Sequence, residues 1–167
     1  MIRIRSELPV DAGEIDCVIA AAFKDTQHTD HTEQFIVREL RNHDALTVSL
    51  VAEESGKVLG HVAVSPVAIS DGTKDWYGLG PISVLPEYQR SGIGSKLMHQ
   101  ALADLRNLGA AGCVVLGDPC YYSRFGFVPK PSLVLPGVPQ EYFQALLLKG
   151  RLPSGRVSYN EAFSAKA

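Results

Sequence analysis

The chain has 167 residues, of which 46% are hydrophobic and 20% charged, and this is the composition of an ordinary globular protein of one domain. Its formal net charge is −2, so no overall positive field points to nucleic acid or to a membrane surface as a partner. Three cysteines without a CxxC pair disfavour a disulfide framework and a zinc ribbon, and the chain shows neither a signal-peptide pattern nor a membrane-length apolar run, so we expect a reduced, cytoplasmic protein.

The N-terminal region predicts a short strand followed by two helices. Apolar and charged residues alternate over 2–5, as in a strand. From Ile15 to Phe23, apolar residues recur at the spacing of one helix face, and Asp11 is suited to cap that helix. A polar link and a second amphipathic helix complete a helix–link–helix unit over 11–42.

Three consecutive strands are predicted next, over 46–53, 58–69 and 76–84. Turn-forming residues at 54–57 and 71–73 separate these extended apolar runs, which predicts an antiparallel arrangement. A long apolar stripe then predicts a helix from Ile93 to Leu108, and a buried strand follows over 113–116. Asp118 before Pro119 predicts a short capped helix, whereas 140–148 is compatible with either a helix or a strand. The expected architecture is α/β, of the α+β type, with a mostly antiparallel mixed sheet and flanking helices.

A glycine-rich turn, Gln89-Arg-Ser-Gly-Ile-Gly94, lies between the third of these strands and the long helix. Backbone N–H groups at such a helix start can surround an anion, and glycine lets a phosphate approach the backbone. The turn lacks the Lys-Ser/Thr of a P-loop and the third glycine of a dinucleotide-binding fingerprint. The alternative is a plain connecting loop.

The stretch 79–97 resembles the cofactor motif of the GNAT superfamily of acyl-CoA N-acyltransferases, in its YhbS-type branch. The matching positions are Val84, Pro86, Gln89, Gly92 and Gly94. A second family block matches at 121–127, and the predicted element order is also that of the family. The resemblance covers about residues 1–135, within one domain over 1–167 that has a C-terminal extension over 136–167.

The resemblance implies a GNAT fold whose sheet splays between its fourth and fifth strands, helped by a bulge near Gly80 and Pro81. It implies acetyl-CoA as cosubstrate, with the pyrophosphate on the glycine turn and the pantetheine arm along 82–84. The residues it assigns to cofactor binding are Ile82, Ser83, Val84, Gln89, Arg90, Ser91, Gly92, Ile93, Gly94, Ser95, Tyr122 and Arg124.

Tyr122 occupies the position at which the family has a tyrosine that protonates the leaving thiolate. A phenol is protonated at neutral pH and can serve as such an acid. The alternative is that Tyr122 only packs against the pantetheine. The neighbouring Tyr121 could line the acceptor site or belong to the core.

Candidates for a general base are less distinct. Glu33 is the first, because the second helix of this fold borders the acceptor site, although its spacing from Asp30 also fits a capping box. His61 lies in a strand and could face the site or be a core residue, and Ser83 could position a water or the substrate. Water chains alone could also remove the proton.

Other residues with chemical potential are given structural roles. The run from His28 to Glu33 contains metal-ligand types but no third ligand set, so we expect a solvated loop and no metal. Cys120 lacks an identifiable histidine partner, which disfavours a nucleophile. The apolar residues over 133–148 could cover the cleft or form a homodimer contact.

The leading hypothesis is an N-acetyltransferase that transfers an acetyl group from acetyl-CoA to a primary amine by direct attack in a ternary complex. The acceptor could be a small molecule or an amine of a peptide or protein. The alternatives are a non-catalytic acyl-CoA-binding sensor or scaffold and another nucleotide-binding α/β protein. Acidic residues over 25–33 would suit a cationic amine.

Overall fold

A computed structural model of the chain describes residues 1–26 and 29–166. Its helices are α1 (Ala12–Phe23), α2 (Glu33–Asn42), α3 (Ile93–Leu108) and the single turn α4 (Pro119–Tyr122). Its strands are β1 (Arg3–Ser6), β2 (Val48–Glu54), β3 (Lys57–Ile69), β4 (Trp76–Val84), β5 (Gly112–Leu116), β6 (Val128–Pro129), β7 (Leu133–Val134), β8 (Phe143–Leu147) and β9 (Gly155–Tyr159).

The strands form a mixed sheet in the order β1-β2-β3-β4-β5-β8-β6, with β9 pairing with the far end of β3 and β7 pairing with β9. Strands β1 to β4 are antiparallel neighbours, which confirms the three predicted antiparallel strands. Strand β5 runs parallel to β4 because α3 crosses over between them. The predicted α/β class is confirmed.

Strands β4 and β5 separate after a short paired section. Pairing covers only Trp76–Gly78 against Gly112–Val114. On the other side of β4, Val62 pairs with Ile82 and Val64 with Leu79, so β4 carries one more residue than β3 between these pairs. This confirms the predicted bulge around Gly80 and Pro81. Beyond it, no described strand pairs with the side of β4 that faces β5.

Helices cover both faces of the sheet. Helix α3 packs so closely on one face that a Cβ on Gly60 would lie 3.2 Å from side-chain atoms of Ile93 and Leu97. On the other face, Ile15 and Ile19 of α1 join a separate apolar cluster with β2 and β3. Ile93 and Leu97 share their own apolar cluster with Leu50, Leu59 and Val62 of the sheet. This packing holds α3 on the sheet and so fixes the loop between β4 and α3.

Three local predictions are settled by the structure. Asp11 lies at the N-cap of α1 but does not cap it, because its carboxylate accepts hydrogen bonds from Arg5 and from the Leu8 amide. Asp118 does cap α4, through the Cys120 amide at 2.9 Å. The ambiguous segment 140–148 forms a turn and then β8, which lies antiparallel to β5.

None of the helices described over 1–26 and 29–166 combines the length and the apolar character that crossing a bilayer requires.

Candidate active site

The loop between β4 and α3 forms a concave row of backbone amides. Arg90 and Gly92 both have left-handed backbones, with φ of 64° and 87°. Within the described part of the chain, the N–H groups of residues 90–95 donate no hydrogen bond. Unpaired amides at a helix start carry the positive end of the helix dipole, so this loop can bind an anion.

Side chains of the loop hold this conformation. The Gln89 amide group donates to the Val84 carbonyl at 3.0 Å, and the Ser91 hydroxyl donates to the Tyr88 carbonyl. Gln89 thus bonds to the last residue of β4 and Ser91 to the turn before the loop. These bonds hold the loop in the conformation that leaves its amides free for a ligand.

An open cleft of about 390 Å³ lies along this loop. Its walls combine the end of β4, the glycine loop, the first turn of α3 and the region of α4. The residues that line it are Ile82, Ser83, Val84, Tyr88, Gln89, Arg90, Gly92, Gly94, Ser95, Tyr121 and Arg124.

Arg124 and Tyr121 form one wall of the cleft. The Arg124 guanidinium lies 4.8 Å from the centre of the Tyr121 ring and donates to the Ser95 hydroxyl at 3.3 Å. A Cβ on Gly94 would lie 2.8 Å from the Tyr121 hydroxyl. The cleft thus places Arg90 and Arg124 beside the free amides, an arrangement that suits a phosphorylated ligand.

A second cavity, which we call the apolar pocket, has about 360 Å³ and shares Ile82 with the cleft. It opens where β4 and β5 separate, and its walls come from α1, α2, β4, β5 and the C-terminal segment. The residues that line it are Phe23, Glu33, Ile36, Leu79, Gly80, Pro81, Ile82, Leu116, Tyr122, Leu135, Tyr159 and Phe163.

Tyr122 lines the apolar pocket rather than the cleft. Its ring packs edge-on against Tyr121, with ring centres 5.0 Å apart, and also contacts Phe127. Burial raises the pKa of Tyr122 to about 12, because an apolar environment disfavours the phenolate. The phenol therefore keeps its proton at neutral pH.

Glu33 also lines the apolar pocket, at the first position of α2. Its Oε2 accepts a hydrogen bond from the Thr29 hydroxyl, whereas its Oε1 is buried and has no partner among the described residues. The capping-box alternative is wrong, since the N-cap of α2 is Thr32 and no side-chain cap bond is present. The carboxylate therefore has capacity for a further donor.

His61 does not fit the role of a base at this site. It is fully buried, and its Nε2 lies 2.7 Å from the Ser49 hydroxyl. It lines neither the cleft nor the apolar pocket, because Gly60 faces α3 and the next residue of the strand faces the opposite side. Ser83, paired with His61 across the strands, contributes to the wall of the cleft, and its buried hydroxyl has no partner among the described residues.

Most residues expected to bind the cofactor lie together along the cleft. Ser91 and Ile93 do not line it with their side chains, and Ile93 is a core residue, so each can contribute only its backbone amide. Sequence reasoning missed Tyr88 and left Tyr121 between acceptor site and core, whereas both line the cleft. It also missed the aromatic pocket residues Tyr159 and Phe163, which no motif marks.

Among residues 1–26 and 29–166, no group of three or more His, Cys, Asp or Glu side chains is arranged to hold a metal ion. The expectation for His28 lies outside the described residues.

Comparison with known proteins identifies the family. Residues 15–127 match the acetyltransferase (GNAT) family. The chain belongs to the GNAT acetyltransferase family. It is 38% identical to the N-acetyltransferase YhbS of Escherichia coli over 125 residues, which is 74% of this chain and 72% of that protein.

Two solved GNAT structures match nearly the whole chain. A GNAT acetyltransferase from Brucella melitensis, in complex with acetyl-CoA, is 50% identical with a TM-score of 0.87 and covers 98% of each chain. E. coli YhbS, in complex with CoA, is 34% identical with a TM-score of 0.89 and covers 99% of this chain and 93% of that one. Both matches include the C-terminal segment, which lies beyond the GNAT family match and supplies part of the apolar pocket.

Proposed function

We propose that this GNAT protein transfers an acetyl group from acetyl-CoA to a primary amine by direct attack in a ternary complex. The observation that carries the proposal is the adjacency of two cavities. A cleft with free helix-start amides and two arginines shares the wall residue Ile82 with an apolar pocket that Tyr122 and Glu33 line. Acetyl-CoA or CoA in the matched GNAT structures supports the choice of cosubstrate.

The cleft would bind the cosubstrate by its phosphates and its pantetheine arm. The pyrophosphate would accept hydrogen bonds from the amides of 90–92 and 94–95, with Arg90 and Arg124 adding charge. The pantetheine arm would lie along Ile82–Val84 in the gap between β4 and β5, where it can pair with backbone groups that no described strand uses. A backbone N–H of this stretch would polarise the thioester carbonyl.

The reaction then needs no covalent enzyme intermediate. The neutral amine nitrogen attacks the thioester carbon, the new C–N bond forms, and the C–S bond breaks as the nitrogen gives up a proton. The thiolate takes up a proton and leaves as CoA thiol. Holding the two substrates in line across the junction of cleft and pocket supplies much of the acceleration, since effective molarities of about 10⁵ M or more are known for well-oriented reactions.

Tyr122 is the proposed acid for the leaving thiolate. It lines the apolar pocket, which shares Ile82 with the cleft. Burial raises its pKa to about 12, so it is fully protonated at neutral pH. A group that donates in the transition state contributes typically 10²–10⁴-fold.

Glu33 is the proposed acceptor for the proton that the nitrogen loses. Nitrogen becomes far more acidic once it has bonded to the carbonyl carbon, so a carboxylate can take the proton at that stage. The unpartnered Oε1 of Glu33 in the same pocket as Tyr122 supports this role. Ser83 is proposed to hold a water or the substrate at the cleft wall.

Cosubstrate binding and catalysis are tested separately. Thermal unfolding is followed with 1 mM acetyl-CoA, CoA or ATP. A ligand that binds with a dissociation constant of about 10 μM would raise the free energy of unfolding by about 2.7 kcal/mol and the unfolding midpoint by several degrees. Release of CoA thiol is then measured with a panel of amines for the natural chain and for Tyr122→Phe. We expect Tyr122→Phe to lower kcat about a hundredfold at unchanged acetyl-CoA affinity. Binding of acetyl-CoA without turnover of any amine would instead indicate a non-catalytic acyl-CoA-binding module.

A further inference from the structure

We propose that the apolar pocket selects a small primary amine that carries one ammonium group on an apolar body, with Glu33 binding the ammonium. This inference rests on the proposed function and specifies its acceptor. It depends on three features of the pocket: the chemistry of its wall, the state of the Glu33 carboxylate and the packing of its C-terminal side.

The wall is almost entirely apolar. Aliphatic side chains come from α2, β4, β5 and β7–β8, and aromatic rings come from Phe23, Tyr159 and Phe163. Among the described lining residues, Glu33 is the only one that is an Asp, Glu, Lys, Arg or His. A ligand body in contact with this wall gains by being apolar, because each buried CH₂ group is favourable and each unpaired polar group is costly.

The Glu33 carboxylate lacks one hydrogen-bond donor. Thr29 satisfies Oε2, but the buried Oε1 has no partner among the described residues. An unsatisfied buried oxygen of a charged group is rare and costly. An ammonium N–H at Oε1 would supply both the missing donor and the opposite charge, and it would hold the nitrogen in the cavity that Tyr122 also lines. Before attack, the bound ammonium gives one proton to solvent water, and the neutral amine keeps one N–H on Oε1, so that Glu33 can take the second proton after the C–N bond has formed.

The C-terminal side of the pocket is fixed by packing. The rings of Tyr159 and Phe163 lie 4.8 Å apart, and the neighbouring Ala162 is buried against α2. Tyr159 also lies so close to Gly78 that a Cβ there would come within 2.4 Å of its ring. These contacts leave about 360 Å³, at the small end of the range for ligand pockets, so the pocket limits the size of the acceptor.

Other amine classes fit this pocket poorly. Besides Glu33, the wall offers only Tyr122 and Tyr159 as polar side chains, which are too few to replace the water around the second ammonium of a polyamine or the several hydroxyls of an amino sugar. A lysine side chain of a protein would bring its peptide backbone to the mouth of a pocket that offers it few polar groups. A small arylalkylamine or alkylamine has neither problem.

The test compares acceptors and a matched pair of variants. Release of CoA thiol is measured with phenethylamine and hexylamine against spermidine, glucosamine and a short lysine peptide. Binding of phenethylamine and of the uncharged 2-phenylethanol to the CoA complex is measured by calorimetry. The variants are Glu33→Gln, Glu33→Asp and, as control, Glu39→Gln, which removes a carboxylate from the exterior of the same helix α2.

We expect kcat/KM for the two apolar amines to exceed that for the other acceptors by at least about tenfold. Glu33→Gln should weaken phenethylamine binding by about tenfold or more while 2-phenylethanol binds as before, because only the amine loses an ion pair. Glu33→Asp should retain part of the preference for the amine, and Glu39→Gln should leave both affinities unchanged. Acetyl-CoA binding by each variant verifies that it is folded.

The outcomes separate this inference from the proposed function. Faster turnover of spermidine, glucosamine or the lysine peptide would overturn the inference and leave the acetyltransferase function standing. Equal binding of phenethylamine to the natural chain and to Glu33→Gln would also overturn it. Glu33-dependent binding of phenethylamine without any turnover would support the pocket's selectivity and count against the proposed catalysis.

Discussion

The Tyr122 ring lies directly against the backbone of Gly117, where a Cβ would come within 2.8 Å of its Cε2. Gly117 follows β5 and has a φ of 156°, a backbone conformation that residues other than glycine rarely adopt. Its amide donates to the Tyr142 carbonyl at 2.9 Å, so the backbone there is held in place. The absence of a side chain at 117 is what permits the present position of the proposed acid.

We therefore expect Gly117→Ala to reduce kcat to about the level of Tyr122→Phe, because the added methyl group displaces the ring. The measurement is CoA release at saturating substrates, with calorimetric acetyl-CoA affinity expected to change little. The double variant should lose no more than either single one, since both remove the same proton donor. Full activity of Gly117→Ala would show that the position of the ring is not important.

Gly13→Ala is the matched control. A Cβ on Gly13, in α1, has no atom within 4 Å, and alanine favours a helix over glycine by about 0.5–1 kcal/mol. We expect unchanged kcat and a slightly higher unfolding temperature.

Gly94→Ala should weaken acetyl-CoA binding by about tenfold or more, because its Cβ would lie 2.8 Å from the Tyr121 hydroxyl within the cleft. Calorimetric titration with CoA measures the loss. Since the Tyr121 hydroxyl is the atom in conflict, adding Tyr121→Phe should restore part of the affinity, while Tyr121→Phe alone stays near the natural value. No recovery in the double variant would mean that the methyl group obstructs the cosubstrate itself.

Deprotonation of Tyr122 should not lower kcat at any pH up to 10. Burial raises its pKa to about 12, so the acid form persists to well above pH 10. We expect kcat to rise as the amine loses its proton and then to stay level to pH 10, after correction for thioester hydrolysis. A decline in kcat centred between pH 8 and 9 would show that a different acid, or an unperturbed group, limits the reaction.

The parts of the fold that the sequence predicts are those governed by local patterns. The stripe of α3, the turns between β2, β3 and β4, and the glycine loop each depend on residues within about fifteen positions of one another. Because the end of β4, the loop and α3 are consecutive, the cleft that they form was largely predictable. Nine of the eleven residues that line it lie within 82–95, and the other two are Tyr121 and Arg124.

The apolar pocket depends on distant contacts and could not be predicted in this way. Phe23, Leu116, Tyr159 and Phe163 come from four separate segments that only the assembled sheet brings together. The sequence also does not indicate which face of the sheet His61 points to, because Leu59, Val62 and Ala63 around it are all buried. A strand buried on both faces has no alternation of polar and apolar residues to indicate its orientation.

His61 belongs to a buried polar chain on the α1–α2 side of the sheet. The Ser49 hydroxyl donates to the Glu7 carboxylate and therefore accepts from the His61 Nε2–H. Arg41 of α2 donates to the same carboxylate at 2.8 and 3.0 Å. This arrangement assigns the proton of the neutral imidazole to Nε2, and it holds His61 away from the residues that line the cleft and the apolar pocket.

The stability of the protein should fall as the pH is lowered from 6.5 to 5, because His61 titrates differently in the two states. Burial, with a contribution from Arg41, lowers the pKa of His61 from 6.5 to about 4, although Glu7 opposes the shift. Between these two pKa values, His61 is protonated in the unfolded chain but neutral in the folded one. The free energy of unfolding is therefore highest above pH 6.5 and declines as the pH falls below it. Integration gives a loss of about 2 kcal/mol between pH 6.5 and 5, a range in which Glu7, Asp11 and Glu53 with their lowered pKa values stay ionised. Urea unfolding at constant ionic strength should show this slope for the natural chain and a flatter one for His61→Gln, and equal slopes would contradict the assignment.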